Sequence, residues 1–266
     1  MDDIHNASEE KSVDARRFET SDGLSVAWYE AGHGDGQPPI IMQHGFSSSF
    51  HFEWVECGLA EAVAGLGRRL IGIDARGHGN SDKPHEGRYY SGDRMPADIS
   101  TLADHLGLTE YDLVGYSMGG GIAAAVAAQD KRVRRVVISG MGEALVKRGG
   151  LERRVLDPVA LAAGLRAESS EGLNEVVKAF REGAIKRNND LLALAAHTDM
   201  IADRQIDFGA ITARTLVMAG DTDPLAPHPE VIAEAIAGAE LVVVPGDHHF
   251  SRRSPEYRAA LLRFLA

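Results

Sequence analysis

The stretch Tyr111-Asp112-Leu113-Val114-Gly115-Tyr116-Ser117-Met118-Gly119-Gly120-Gly121-Ile122-Ala123-Ala124-Ala125 joins two different patterns. Residues 111–115 form a short apolar run of the kind that makes a buried strand. Residues 122–128 are small and apolar, as in a helix packed close against a neighbour. Between them stands G-x-S-x-G, Gly115 to Gly119. A turn this abrupt forces the central serine into a strained backbone, and side chains on its neighbours would clash. The turn lifts the Ser117 hydroxyl above the sheet, at a helix N-terminus whose free N–H groups favour negative charge. A Gly-Ser turn that merely caps a helix is the bland alternative. The strand–turn–helix setting argues against it.

Working outward, the same alternation continues. Strand patterns occupy residues 16–20 and 24–30, joined around Asp22-Gly23 as a hairpin, then 39–42, 69–73 and 133–139. Met95, Ile99, Leu102, Ala103 and Leu106 fall at helical spacing. Strand patterns return at 215–219 and 240–244, with a helix at 229–237 between them and a last helix carrying Tyr257, Leu261, Phe264 and Leu265. Apolar strands alternating with helices predict a mostly parallel, doubly wound α/β sheet covered on both faces, with an antiparallel hairpin at its start. Residues 142–212 lose the strand pattern and become helical and charge-rich, which predicts a small helical lid inserted between two strands. The division expected is a flexible tail over 1–13, a core over 14–141 and 213–266, and a cap over 142–212.

The chain has 266 residues, 44% of them hydrophobic and 25% charged, enough to bury a substantial core. Lys and Arg number 28 against 39 Asp and Glu, a net charge of −11, which argues against nucleic acid as a partner. Cys57 is the single cysteine, so no intrachain disulfide forms, and it reads as a packing residue. Residues 1–13 lack the apolar stretch of a signal peptide, and no run is long enough to cross a bilayer, so the expected location is the cytoplasm.

Three further motifs follow the chain. His44-Gly45-Phe46 ends the strand at 39–42, and its loop, through the Phe46 N–H, pairs with the Met118 N–H as two donors to a developing oxyanion. His44 itself reads as a structural histidine. Gly220-Asp221-Thr222-Asp223-Pro224 places acids on the same sheet edge as Ser117. Gly246-Asp247-His248-His249-Phe250 supplies a base, completing the chain order serine, acid, histidine. Adjacent histidines rarely face one ion together, and no further Cys/His cluster supports a metal.

With Asp74-Ala75-Arg76-Gly77-His78-Gly79-Asn80-Ser81 added, these motifs resemble the α/β-hydrolase superfamily over nearly the whole chain, closest to its capped esterase and enol-lactonase branch. The resemblance implies the α/β-hydrolase fold and a serine hydrolase without cofactor or metal, cleaving a small-molecule carboxylic ester or lactone. It implies that Asp74 and Arg76 anchor loops. It also implies an acid three residues after Gly220, hence Asp223 rather than Asp221 or Glu143. Counting from Pro245-Gly246, the family's interval leads to His249 as the base. Counting back from Pro255 leads to His248. The tighter turn before the histidine favours His249, so the expected catalytic set is Ser117, Asp223 and His249. Carbon–carbon bond hydrolysis with the same triad, acyl transfer and non-catalytic ligand reception are the rival functions. Arg181, Lys186, Arg187 and His197 of the cap are candidates to meet a substrate carboxylate. The sequence leaves the oligomeric state open.

Overall fold

A computed structural model describes residues 14–34, 36–201 and 205–266. The tail expected over 1–13 lies outside the described residues. The chain enters the fold through β1 (Arg16–Glu19) and β2 (Ser25–Ala31), followed by β3 (Ile40–Gln43), α1 (Leu59–Ala64) and β4 (Leu70–Ile73). Next come α2 (Arg94–His105), β5 (Tyr111–Tyr116), α3 (Met118–Gln129) and β6 (Val133–Ser139). Four helices then run without a strand among the described residues: α4 (Ala144–Arg148), α5 (Pro158–Arg166), α6 (Glu175–Lys186) and α7 (Leu191–Thr198). The chain returns through β7 (Arg214–Gly220), α8 (Glu230–Ala235), β8 (Glu240–Val244) and α9 (Pro255–Leu265).

The eight strands form one sheet in the order β1-β2-β4-β3-β5-β6-β7-β8. β2 is antiparallel to both β1 and β4, and the remaining pairings are parallel. This is the α/β-hydrolase fold. Each central strand is apolar on both sides because each face is covered. Successive residues alternate accordingly: Ile41, Leu113, Val136 and Ile138 enter one apolar cluster with Ile99 and Leu102 of α2, Ile122 of α3 and Ile232 of α8. Ile40, Met42, Val114 and Val137 enter the other with Leu59 and Val63 of α1 and Leu261 and Phe264 of α9. The sequence reading assigns no helix between Met42 and Arg69, where α1 and a wide helical turn, His51–Val55, are found. Six residues of mixed character give too short a period to be seen.

A third apolar cluster lies outside the sheet. Leu156, Leu161, Leu165, Val177, Ala184, Leu194 and Ala195 pack α5, α6 and α7 together, with Phe46 and Leu225 of the core against them. Aligned N-caps begin these helices: Asp157, Asn174 and Asp190 each accept from a backbone N–H one turn on.

Two buried residues after β4 organise the loops at the sheet's upper edge. Asp74 accepts from the Tyr29 hydroxyl and from the Phe50 and Asn80 N–H groups at 2.7, 2.7 and 2.8 Å. Arg76, 1% exposed, holds Asp98 through two hydrogen bonds of 2.7 and 2.6 Å and Asp22 through two more of 2.8 and 2.9 Å. The guanidinium keeps the Asp22 carboxyl well below the usual carboxylate range. Removing one partner of such a set leaves buried charge uncompensated. Arg76→Met is expected to destabilise the fold by about 3–5 kcal/mol, read as a lower urea midpoint at unchanged slope. A midpoint within error of the parent would refute the anchoring role.

Candidate active site

Ser117 sits between β5 and α3 with φ 54° and ψ −120°, a conformation disfavoured for any residue with a side chain. The flanking glycines explain how it is reached. A Cβ on Gly115 would lie 2.0 Å from the Gly119 carbonyl oxygen, and one on Gly119 would lie 2.3 Å from that of Gln43. The Ser117 N–H donates to the Ser139 carbonyl at 2.7 Å, pinning the turn to β6.

The hydroxyl of Ser117 lies 3.0 Å from Nε2 of His248, and Nδ1 of His248 lies 2.7 Å from Oδ2 of Asp223. A carboxylate only accepts, so Nδ1 carries the proton and Nε2 is free to accept from the serine. Asp223 is itself steadied by the Leu225 N–H on Oδ1 at 2.9 Å. Asp221 accepts from the Gly246 N–H and shapes the turn, while Glu143 pairs with Lys147 and Arg154.

The expectation of His249 is corrected here. Its ring lies beside that of His248, 6.0 Å between centroids and nearly perpendicular, and the ring meeting Ser117 is that of His248. The reason is local. Gly246, at φ +116°, turns the chain sharply, and Asp247 then accepts from the N–H groups of both His249 and Phe250. That side-chain turn leads straight into the short helical turn Ser251–Arg253 and the Ser254 cap of α9. The first side chain after Asp247 therefore points at the serine.

Gly45, Phe46 and Met118 border the cavity beside Ser117. Gly45 runs so near that a Cβ there would approach the Ser117 Cβ to 3.2 Å. The Met118 N–H lies in the first turn of α3, where a helix leaves its donors without intrahelical partners. His44 has both ring nitrogens committed to backbone: Nδ1 donates to the Gly45 carbonyl at 2.7 Å, and Nε2 accepts from the Ala75 N–H at 2.9 Å.

The cavity over Ser117 has a volume of about 790 Å³. Its walls are mainly apolar, including Phe46, Phe52, Ile122 and Met141 from the core and Leu156 and Phe180 from 142–212. Of the four cap candidates, Arg187 and His197 line it. Arg187 donates to the Ser47 carbonyl and hydroxyl, both at 2.7 Å. Burial lowers its basicity, opposed by the nearby Glu53 charge. Arg181 is buried elsewhere, and Lys186 is exposed. The cavity also holds Glu53 and Arg252, which sequence reasoning missed: each is an ordinary charged residue until the fold buries it. Among the described residues, no group of His, Cys, Asp and Glu is arranged to hold a metal ion, and no helix is long and apolar enough to cross a membrane.

Comparison with known proteins agrees with this architecture. A family model for the alpha/beta hydrolase fold matches residues 38–151. The chain is 31% identical over 258 residues to a non-heme chloroperoxidase of Streptomyces lividans, covering 86% of this chain and 91% of that protein. It is 31% identical over 225 residues to a 2-hydroxymuconate semialdehyde hydrolase of Pseudomonas putida, covering 75% and 77%. One further curated relative is matched over only half of its own length. The enol-lactonase of Burkholderia xenovorans LB400 superposes with a TM-score of 0.75 at 22% identity, covering 94% of this chain and 99% of that one.

His197 stacks on Tyr90 with centroids 5.4 Å apart, and burial holds its pKa down at about 4. It is neutral in the folded protein while the unfolded chain takes up a proton near pH 6.5. Its contribution to stability is therefore full above about pH 6.5 and is lost as pH falls toward 4. His197→Phe is expected to lose less stability than the parent between pH 7.5 and 4.5, measured by urea denaturation at each pH. Equal losses would show that His197 does not carry the acid sensitivity.

Proposed function

The chain belongs to the α/β-hydrolase superfamily, and from that membership we propose that it is a serine hydrolase cleaving a carboxylic ester or lactone. The observation that carries this reading is the unbroken relay from Asp223 through His248 to Ser117, at 2.7 and 3.0 Å. His248 removes the hydroxyl proton as Ser117 attacks the carbonyl carbon. The oxyanion accepts from the N–H groups of Phe46 and Met118, and Asp223 stabilises the imidazolium. His248 returns the proton to the departing alkoxide, leaving an acyl-enzyme. Water, activated by His248, then attacks the acyl carbon and releases the acid. The mainly apolar walls fit a substrate with a hydrophobic body, and the helices of 142–212 act as the lid that encloses it.

A second reading, carbon–carbon bond cleavage next to a ketone, is favoured by the semialdehyde hydrolase among the relatives. Products separate the two: an acid and an alcohol in the first case, an acid and a ketone in the second.

A fluorophosphonate is expected to label Ser117, located by mass spectrometry of the digest. Ser117→Ala should abolish both labelling and turnover of an ester panel. His248→Ala and Asp223→Asn should each lower kcat by up to about 10⁴-fold, whereas His249→Ala keeps most activity. Loss of activity in His249→Ala with His248→Ala near parental would overturn the base assignment. An adduct on any other residue would overturn the nucleophile.

A further inference from the structure

Two charges, neither of them in the relay, lie buried beside it. Glu53, on the turn His51–Val55, is 4% exposed, and Arg252, just beyond the histidines, is also 4% exposed. Oε1 of Glu53 is 2.5 Å from Nε of Arg252. The N–H is not aligned on that oxygen, so the attraction is that of charges in contact. Burying two charges costs several kcal/mol each unless other bonds offset the loss of water, and apolar residues fill such a space as well or better. A pair held here for stability alone is therefore poorly chosen.

What the pair touches gives it a different use. Oε2 of Glu53 accepts from the Gly45 N–H at 3.3 Å, in the loop that bears the Phe46 donor. Nη1 of Arg252 donates to the His249 carbonyl at 2.9 Å, and the His248 carbonyl lies 3.5 Å from it. The guanidinium stands 5.3 Å from the centre of the Tyr116 ring. The Tyr116 hydroxyl donates to the same His248 carbonyl at 2.6 Å. Tyr116 precedes Ser117. A closed circuit results: nucleophile turn, Tyr116, histidine backbone, Arg252, Glu53, Gly45 and back to the nucleophile. The ion pair links the oxyanion loop to the histidine loop directly, beside the route through Tyr116 and Ser117.

We propose that Glu53 and Arg252 are positioning residues, a buried strut that sets the oxyanion donors and the base at one fixed separation around Ser117. The inference rests on the serine hydrolase reading above. Neither side chain touches the reacting atoms. Arg252 has a second duty: it cancels the Glu53 charge, which would otherwise oppose an oxyanion forming on the Gly45–Phe46 loop.

The test is the rate of fluorophosphonate labelling at Ser117, measured at a temperature where circular dichroism shows each variant fully folded. Glu53→Gln and Arg252→Lys are expected to slow labelling about 10- to 100-fold, the cost of a displacement near 1 Å in a reacting geometry. On p-nitrophenyl butyrate the loss should fall on kcat, with KM within about threefold, since the strut holds catalytic groups and not the substrate body. The double variant Glu53→Met with Arg252→Met replaces the pair by apolar volume and is expected to fold at least as well as either single variant. It should still label slowly. That combination, stability kept and rate lost, is what a merely structural pair would not produce. Parental labelling rates in the double variant, or losses confined to KM, would overturn the strut. If the parent protein itself fails to label at Ser117, the serine hydrolase reading has failed, which is a separate outcome.

Discussion

The close crossing of β3, β5 and α3 at Ser117 constrains everything else at the upper edge of the sheet. The serine backbone is strained at φ 54°, and three backbone segments approach within distances that leave no room for a Cβ at Gly115 or Gly119. Such strain persists only where surrounding structure over-determines it. The Ser139 carbonyl, α3 beginning one residue later and the adjacent Gly45 supply that surrounding structure. One result is geometric economy. A single turn exposes a hydroxyl, points a helix N-terminus at it and brings the β3 loop alongside, so the proposed nucleophile and the proposed oxyanion donors share one scaffold.

The histidine is held differently. Its carbonyl is gripped by Tyr116 and approached by Arg252, its ring by Asp223, and its loop by the Asp247 turn. Ser117 and His248 are thus fixed by separate sets of bonds that meet in only a few residues. Rigid elements carry both, with β5 ending at one and β8 leading to the other. Preorganisation of this kind is what lets weak individual groups act together, since no reorganisation is needed when charge develops.

The sheet was legible in the sequence because central strands buried on both faces read as plain apolar runs; Ile40-Ile41-Met42 and Leu216-Val217-Met218-Ala219 needed no further context. The serine was legible because its turn demands glycine, a residue whose absence of side chain is itself the signal. The histidine was not. His248 and His249 are chemically identical, and only the Gly246 turn and the Asp247 bonds decide which faces inward. Glu53 and Arg252 left no trace, since two charges 199 residues apart reveal nothing until the fold brings them to 2.5 Å. Long-range pairing of polar groups lacks a local period, and local periods are what a lone sequence offers.

The pairing of β6 with β7 has a consequence for how such a chain can change over generations. Ser139 lies directly opposite Met218, so the residues between them leave and re-enter the sheet on neighbouring strands. Closing a longer excursion costs only a slowly rising entropy, about 0.6 kcal/mol for each doubling. α5, α6 and α7 also bury apolar side chains against one another, drawing little on the sheet for cohesion. Insertions, deletions and replacements confined to the self-packed α5, α6 and α7 spare the strand registers, and with them the spacing of Ser117, Asp223 and His248. The opposite holds for 220–248, where losing one residue would slide the imidazole out of reach. Selection can therefore reshape what the cavity admits at nearly constant chemistry, with drift concentrated in one excursion and length held fixed in the other.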